Sequence, residues 1–312
     1  MSLFVQQNCS ISNFKTSDSW VILSQIEQSI RRKIEAVGKP LKDWDIQIYR
    51  GVLTGYNEAF IISTEKRDEI LSNCLDEDER TRTAEIIRPI LRGRDNQRYN
   101  YEWADKWLIS TFTARHYDID NFPAIKDFLL SFDIRRLEQT GKEYIISGEK
   151  VKGRKKTNNK WFETQDSISY WEDLNQPKIV WGEISDRSKF AYDFNGRYSP
   201  EATSFLMVGD DLPYLLCVLN SPLAEWFFSK IGTTTGVGTI RWKKYTIQEL
   251  LIPKAGDSTI NTIRNDVESY INGSISIQRL AEVSNHKIYE IIGLSTEEIE
   301  YVENFYPALL IQ

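Results

Sequence analysis

Ile46-Gln-Ile-Tyr-Arg-Gly-Val-Leu-Thr-Gly-Tyr-Asn-Glu-Ala-Phe-Ile-Ile62 is the stretch around which the rest of the chain is organised. Its first residues alternate between apolar and polar side chains, which predicts a strand, and Phe60–Ile62 predicts a second, buried strand. Gly51 and Gly55 lie between them, where glycine lets the backbone take a positive φ or approach another group closely. The stretch therefore predicts a strand, a glycine turn and another strand.

Two further segments belong with this stretch. Ile86-Ile-Arg-Pro-Ile-Leu-Arg-Gly-Arg-Asp95 is rich in arginine around Gly93, and it predicts a basic loop. Trp107-Leu-Ile109 is short and apolar, and it predicts a strand of the core.

The order and spacing of these segments resemble a known family. Arg50-Gly-Val-Leu-Thr-Gly-Tyr-Asn-Glu-Ala-Phe60, then Ile90-Leu-Arg-Gly-Arg-Asp-Asn-Gln-Arg-Tyr99, then Trp107-Leu-Ile109 resemble the target-recognition domain of adenine-specific DNA methyltransferases. These are the TaqI-like specificity domains of Type II and Type IIG restriction-modification enzymes, distantly related to Type I specificity subunits. The segment 286–299 is similar to the usual tail of the same family. The resemblance implies that the chain recognises duplex DNA for a methyltransferase catalytic domain in the same parent chain.

Charge is distributed unevenly along the chain. The net charge is −6, yet residues 257–312 hold nine acidic and three basic side chains, so the rest sums to zero. Segments 86–98, 148–160 and 230–244 are basic, whereas 64–85 is acidic. Such segregation can create a positive face on an acidic protein. Ordinary solvated loops are the alternative for any one cluster.

Periodicity and turn residues predict an α+β chain with a mixed sheet, flanking helices and a C-terminal helical unit. We divide it into 1–40, a linker and helix; 41–255, the DNA target-recognition domain; and 256–312, the helical unit. The first helix is expected from Asp18 to Val37, packed either on its own domain or on a missing catalytic half. Further helices are predicted at 65–75, at 78–87 with Pro89 ending it, and at 257–270, 275–292 and 296–306, the last with a Ser295–Glu298 capping box.

No motif for chemistry is found. The chain lacks both the Asn-Pro-Pro-aromatic tetrad for a flipped adenine and a cofactor-type glycine pattern, and Gly232–Gly238 does not supply one. His116 and His286 lie far apart, so we predict no metal site. We expect no catalytic residue and no cofactor in this chain, and S-adenosylmethionine in the parent enzyme, as the resemblance implies.

The candidate DNA-binding residues are polar or basic side chains in three loops. They are Arg92, Arg94, Gln97 and Arg98; Lys152, Arg154, Lys155, Lys156 and Lys160; and Thr234, Arg241, Lys243 and Lys244. Residues 150–159 are predicted to form an exposed hairpin tip or loop. Arg50 and Arg92 have an alternative role, as structural partners of carboxylates. The tryptophans at 161, 171, 181 and 242 are expected mostly in the core.

Two other functions compete with DNA recognition. The acidic C-terminal helices would serve a protein-interaction module, in which case the basic loops have no role. An autonomous nuclease is disfavoured, because no Asp/Glu-x-Lys pattern follows a suitable strand. Three scattered cysteines and the lack of a long apolar run favour a cytoplasmic protein without a membrane segment. The recognised bases do not follow from these loop residues.

Overall fold

The computed structural model describes residues 23–234 and 240–305, with the side chains of residues 233, 234 and 240 left out. In these ranges the α-helices are α1 (Gln25–Val37), α2 (Asn57–Phe60), α3 (Thr64–Ser72), α4 (Glu77–Ile86), α5 (Pro123–Leu130), α6 (Ile134–Leu137), α7 (Leu212–Leu219), α8 (Pro222–Ile231), α9 (Lys244–Ile247), α10 (Asp257–Ile271), α11 (Ile277–Ile292) and α12 (Thr296–Phe305). The strands are β1 (Gly38–Pro40), β2 (Ile46–Arg50), β3 (Ile61–Ser63), β4 (Ile87–Leu91), β5 (Lys106–Ile109), β6 (Glu143–Ile146), β7 (Glu149–Lys152), β8 (Lys178–Gly182), β9 (Ile184–Ser185), β10 (Ala191–Asp193), β11 (Ser199–Pro200), β12 (Ser204–Gly209), β13 (Thr233–Thr234), β14 (Ile240–Arg241) and β15 (Leu251–Pro253). The predicted α+β class is confirmed.

The chain forms two compact units. The sheet unit comprises Gln47–Ile184 and Lys189–Gly209, and the helical unit comprises the described residues within Met1–Ile46, Ser185–Ser188 and Asp210–Gln312. The boundaries of these units are defined by how the chain packs, whereas the predicted boundaries at residues 40 and 255 were defined from the sequence. The division of function between those segments stays a prediction.

Two four-stranded sheets form the framework of the sheet unit. Their strand orders are β10-β8-β12-β2 and β11-β4-β5-β3. Strand β8 is buried along its whole length and pairs antiparallel with both β10 and β12. Its Lys178 is fully buried against Asp193, at 2.8 Å. A pair of this kind requires further hydrogen bonds, and the Lys178 ammonium donates to the carbonyls of Leu174 and Gln176.

The glycine turn lies between strands of different sheets. Strand β2 joins β12, whereas β3 pairs antiparallel with β5. A Cβ on Gly51 would lie 2.1 Å from the carbonyl oxygen of Glu201, so only glycine fits this close approach. Gly55 has a φ of +79°. Both predicted uses of glycine are confirmed, one at each position.

The two surface helices after β3 end earlier than predicted. Asp76 caps α4 by accepting a hydrogen bond from the Glu79 amide at 2.7 Å. Helix α4 ends at Ile86, and Pro89 lies inside β4 opposite Trp107. The prediction that Pro89 ends the helix is therefore wrong: the chain is already extended at Ile87, where φ is −97° and ψ is 100°.

The first helix belongs to the helical unit and packs there. Ser24 and Glu27 form a capping box that starts α1 at Gln25, within the predicted span from Asp18. Residues 18–22 lie outside the described ranges. Ile30 and Ile34 are buried, and α1 packs on α11 and β15. Packing within its own unit thus accounts for the apolar face of this helix.

The three predicted C-terminal helices are present as α10, α11 and α12. Helices α10 and α11 pack on α7, and α12 packs on α8. The Ser295 amide donates to the Glu298 carboxylate at 2.7 Å, and the Glu298 amide donates back to the Ser295 hydroxyl at 3.3 Å. The predicted capping box is confirmed. None of the described helices combines the length and apolar character needed to cross a membrane.

Candidate nucleic-acid interface

The first basic loop follows β4 and is held by an internal ion pair. Arg92 donates to both carboxylate oxygens of Asp95, the closest at 2.7 Å, and Asp95 also accepts the Arg92 amide. Arg92 therefore serves as the structural partner of a carboxylate, which was the alternative to its predicted contact with DNA. The pair closes a single 3₁₀ turn, Gly93–Asp95, and thereby fixes the direction of Arg94. Gln97 and Arg98 follow and are half-buried.

Arg94 lies at the rim of an open groove. Its side chain is exposed and makes no ion pair with any residue that the structure describes. The groove has a volume of about 470 Å³, and Asn57, Lys106, Glu201 and Thr203 are among its lining residues. Amide, hydroxyl and guanidinium groups are the types that read base edges. Sequence reasoning missed Asn57, Lys106 and Thr203, because they come from separate segments of the chain that only the fold brings to the Arg94 groove.

Arg154 departs most from expectation in the second basic loop. It is 4% exposed, and its guanidinium donates to four carbonyls. Nε donates to Leu137 at 2.7 Å, Nη1 to Thr54 and Glu163 at 2.9 and 2.7 Å, and Nη2 to Trp161 at 2.6 Å. Burial lowers its pKa to about 10. The prediction that 150–159 is exposed throughout is wrong at Gly153 and Arg154, because these carbonyls need a buried donor.

The lysines around Arg154 remain at the surface. Lys152, Lys155, Lys156 and Lys160 are exposed, and in the described chain none of them has a carboxylate within 4.0 Å. Strands β6 and β7 form a hairpin whose tip residues, Ser147 and Gly148, both have positive φ. The tip therefore precedes the predicted segment 150–159, whose first residues belong to β7 and whose remainder is the loop after it. An anchored loop that carries unpaired lysines suits phosphate contacts, since little ordering is required on binding.

The glycine turn connects these two basic loops. The Thr54 carbonyl accepts from Arg154, and a Cβ on Gly55 would lie 2.9 Å from the Arg154 Cδ. Asn57, only two residues further along, lines the Arg94 groove and donates to Glu201 at 3.0 Å. The stretch 50–60 thus contacts the second basic loop through Thr54 and Gly55 and lines the Arg94 groove through Asn57.

The third predicted set of DNA-binding residues lies in the helical unit. Strands β13 and β14 pair antiparallel, with Thr233 opposite Arg241. The side chain of Thr234 lies outside the described part, and so does Thr235. Trp242 is buried and stacks on Phe228 at 4.1 Å. Lys243 lies 5.6 Å from the Tyr245 ring, and Lys244 is exposed.

The tryptophans behave as expected. Trp181 and Trp242 are each 1% exposed, and Trp161 and Trp171 are partly buried against the core. In the ranges that the structure describes, no three His, Cys, Asp or Glu side chains are grouped as metal ligands.

Comparison with known proteins identifies the kind of domain. Residues 88–252 match the family model of the TaqI-like C-terminal specificity domain. The chain is also 22% identical, over 286 residues, to the Type II methyltransferase M.PaeR7I of Pseudomonas aeruginosa. That alignment covers 90% of this chain but only 44% of the relative. The chain thus spans less than half the length of the curated relative it matches.

One solved structure of higher score shares the fold, and a second is similar at a lower score. The Type IIL restriction-modification enzyme MmeI, solved in complex with DNA, superposes with a TM-score of 0.53 at 9% identity, covering 85% of this chain and 35% of that enzyme. The type IIG restriction endonuclease BpuSI gives a TM-score of 0.49 at 12% identity, covering 86% of this chain and 33% of that one. At such low identity the first likeness bears on the fold alone.

Proposed function

The chain belongs to the family of TaqI-like C-terminal specificity domains, and from that premise we propose that it recognises a specific duplex DNA sequence for a longer adenine-N6 methyltransferase or fused restriction-modification enzyme. The longer enzyme would supply the catalytic half and bind S-adenosylmethionine, and would act in the cytoplasm. We assign no catalytic residue and no cofactor contact to this chain.

The observation that carries the proposal is the contrast between anchored and free cations in the sheet unit. Arg92 and Arg154 are used inside the protein, where they fix two loops. In the same two loops, Arg94 next to Arg92, and Lys155 and Lys156 next to Arg154, are exposed and have no ion-pair partner in the described ranges. Rigid loops that present unpaired cations are suited to DNA because the entropy cost of ordering them is already met in folding.

The free cations would divide between two roles. Lysine ammonium groups act as point charges on phosphates, and we assign that role to Lys152, Lys155, Lys156 and Lys160. Arginine presents a planar fork that matches the O6 and N7 atoms of guanine, so Arg94 is the first candidate base reader. Gln97, Arg98, Thr234, Arg241, Lys243 and Lys244 stay candidates on sequence grounds.

The salt dependence of DNA binding tests the phosphate role. Fluorescence anisotropy would follow the full chain on a labelled duplex from low to moderate salt. Removing the cation that neutralises one phosphate lowers the slope of log K against log salt by about 0.9. We therefore expect the double variant Lys155→Ala, Lys156→Ala to lower the slope by about 1.8 and to weaken binding to all sequences alike.

Lys126→Ala is the matched control. Lys126 is an exposed lysine of the same unit, but it is already paired with Asp120 at 2.6 Å. Its removal should leave the slope unchanged. Equal slopes for wild type, double variant and control would remove the second loop from the interface. Absence of any DNA binding by the wild type would instead favour the protein-interaction module of acidic C-terminal helices.

A further inference from the structure

A second cationic site lies in the sheet unit, outside the three predicted loops. Arg82 on α4, Arg88 on β4 and Arg115 line one cavity of about 350 Å³. Glu85 is the single carboxylate among the lining residues of that cavity. Three guanidinium groups against one carboxylate leave an excess of positive charge in a concave site, a situation that favours an anion.

Arg88 forms the floor of this cavity. Its Nη1 donates to the Asn175 side chain at 2.6 Å, and its Nη2 donates to the Leu174 carbonyl at 3.2 Å. Burial lowers the pKa of Arg88 and outweighs the opposing effects of Asp193 and Tyr117, and the positive charge of Arg115 adds a smaller lowering. Both guanidinium groups line the same cavity, and an anion there would be attracted by both positive charges.

Arg115 also lines the cavity. Its guanidinium carbon lies 3.9 Å from the ring centroid of Trp171 and 5.5 Å from that of Tyr117. Stacking holds the guanidinium plane in place, and Arg115 also hydrogen-bonds the Tyr117 side chain. The fork of a guanidinium carries five N–H donors, so one such bond leaves others available for an anion. Neither Arg115 nor Arg82 has a carboxylate within 4.0 Å among the residues that the structure describes. Arg82 makes only a long bond to the Asn121 carbonyl, at 3.4 Å.

We propose that this cavity binds a phosphate group through Arg82, Arg88 and Arg115. Guanidinium groups match phosphate oxygens in geometry and charge, and they do so better than lysine at a partly buried site. A backbone phosphate of DNA and a free phosphate ion have this chemistry in common. The DNA source rests on the proposed function, since the cavity shares the sheet unit with the Arg94 groove and the lysine loop.

Two measurements on the full chain test the site. The first is a titration with inorganic phosphate against chloride at equal ionic strength, followed by the NMR signal of the Trp171 indole N–H, which Trp171→Phe would identify. The second is the salt slope of duplex binding. We expect the double variant Arg82→Gln, Arg115→Gln to weaken phosphate binding at least tenfold and, because one phosphate contact is lost, to lower the slope by about 0.9.

Arg67→Gln is the matched control. Arg67 also stacks on a tryptophan, 4.2 Å from the Trp107 ring, but it is paired with Asp68 at 2.9 Å. It should change neither measurement. Thermal unfolding of each variant separates loss of the site from loss of the fold.

The outcomes are distinct. A lower slope in the double variant but not in the control assigns the site to DNA backbone phosphate. Abolished phosphate binding with an unchanged slope assigns it to free phosphate. No phosphate-specific signal in the wild type, together with an unchanged slope in the double variant, overturns the inference while leaving the proposed function standing. If the wild type does not bind DNA, the proposed function fails and the phosphate titration alone decides the site.

Discussion

Arg154 and Lys155 are adjacent in the sequence and have opposite surroundings. The arginine is buried against four backbone carbonyls, whereas the lysine is exposed. Composition alone placed both in one basic loop, because burial of a single charged residue depends on acceptors that come from distant segments. The same reasoning named a structural pairing of Arg92 as the alternative to DNA contact, and the structure shows that pairing with Asp95, three residues away.

The role of Arg154 leads to a test of stability. Arg154→Met would leave four carbonyls without their donor, so we expect the free energy of unfolding to fall by about 3 kcal/mol. Lys155→Met, one position along, should change it by no more than about 0.5 kcal/mol. Urea denaturation of the full chain at neutral pH measures both values. Equal effects of the two substitutions would contradict the anchoring role.

At the scale of elements, helix positions followed from sequence better than strand partners did. Helices α10, α11 and α12 lie within two residues of where the sequence placed them, because a helix satisfies its own backbone locally. The strands were located, but nothing in the stretch 46–62 indicated that β2 and β3 enter different sheets. Strand partners are set by long-range packing, which is also why the Arg94 groove was only partly foreseen.

Helix α1 is held within its unit by an ion pair that responds to pH. Lys230 on α8 donates to Glu27 at 2.6 Å, and the Glu27 side chain is 9% exposed. Burial opposes ionisation of Glu27, but hydrogen bonds from Lys230, the Ser24 amide and Tyr301 outweigh it and lower the pKa from 4.5 to about 2. A lowered folded-state pKa means that the stabilisation is complete above pH 4.5 and is lost as the pH falls toward 2.

Glu27→Gln tests this linkage. It should reduce the free energy of unfolding at neutral pH by an amount on the order of 3 kcal/mol. It should also flatten the dependence of that energy on pH between about 4.5 and 2. Glu35→Gln is the control, since its exposed pair with Arg31 is worth about 1 kcal/mol at most. The measurement is urea denaturation at a series of pH values. A pH dependence identical to wild type would exclude the Glu27 pair as its source.

At the scale of the whole molecule, an acidic protein carries basic surfaces. The net charge of −6 is concentrated in residues 257–312. Exposed cations without an ion-pair partner in the described ranges include those of the loop 152–160, Arg94, and Arg82 and Arg115 of the cavity. The protein spans 44% of the length of its methyltransferase relative, and the family match falls on the segment 88–252, which contains most of these cations. Sequence-specific DNA recognition is the proposal that accounts for both the basic surfaces and the family match.

The most direct test is selection of bound duplexes from a randomised pool by the full chain at moderate salt, followed by sequencing of the bound fraction. Sequence recognition predicts that one short motif is strongly enriched. Arg94→Ala should degrade one position of that motif at a cost of about 1–3 kcal/mol on the cognate site. The Lys155→Ala, Lys156→Ala variant should keep the motif and bind it more weakly. A bound fraction with the same base composition at every position as the starting pool would contradict the claim that this chain reads DNA sequence.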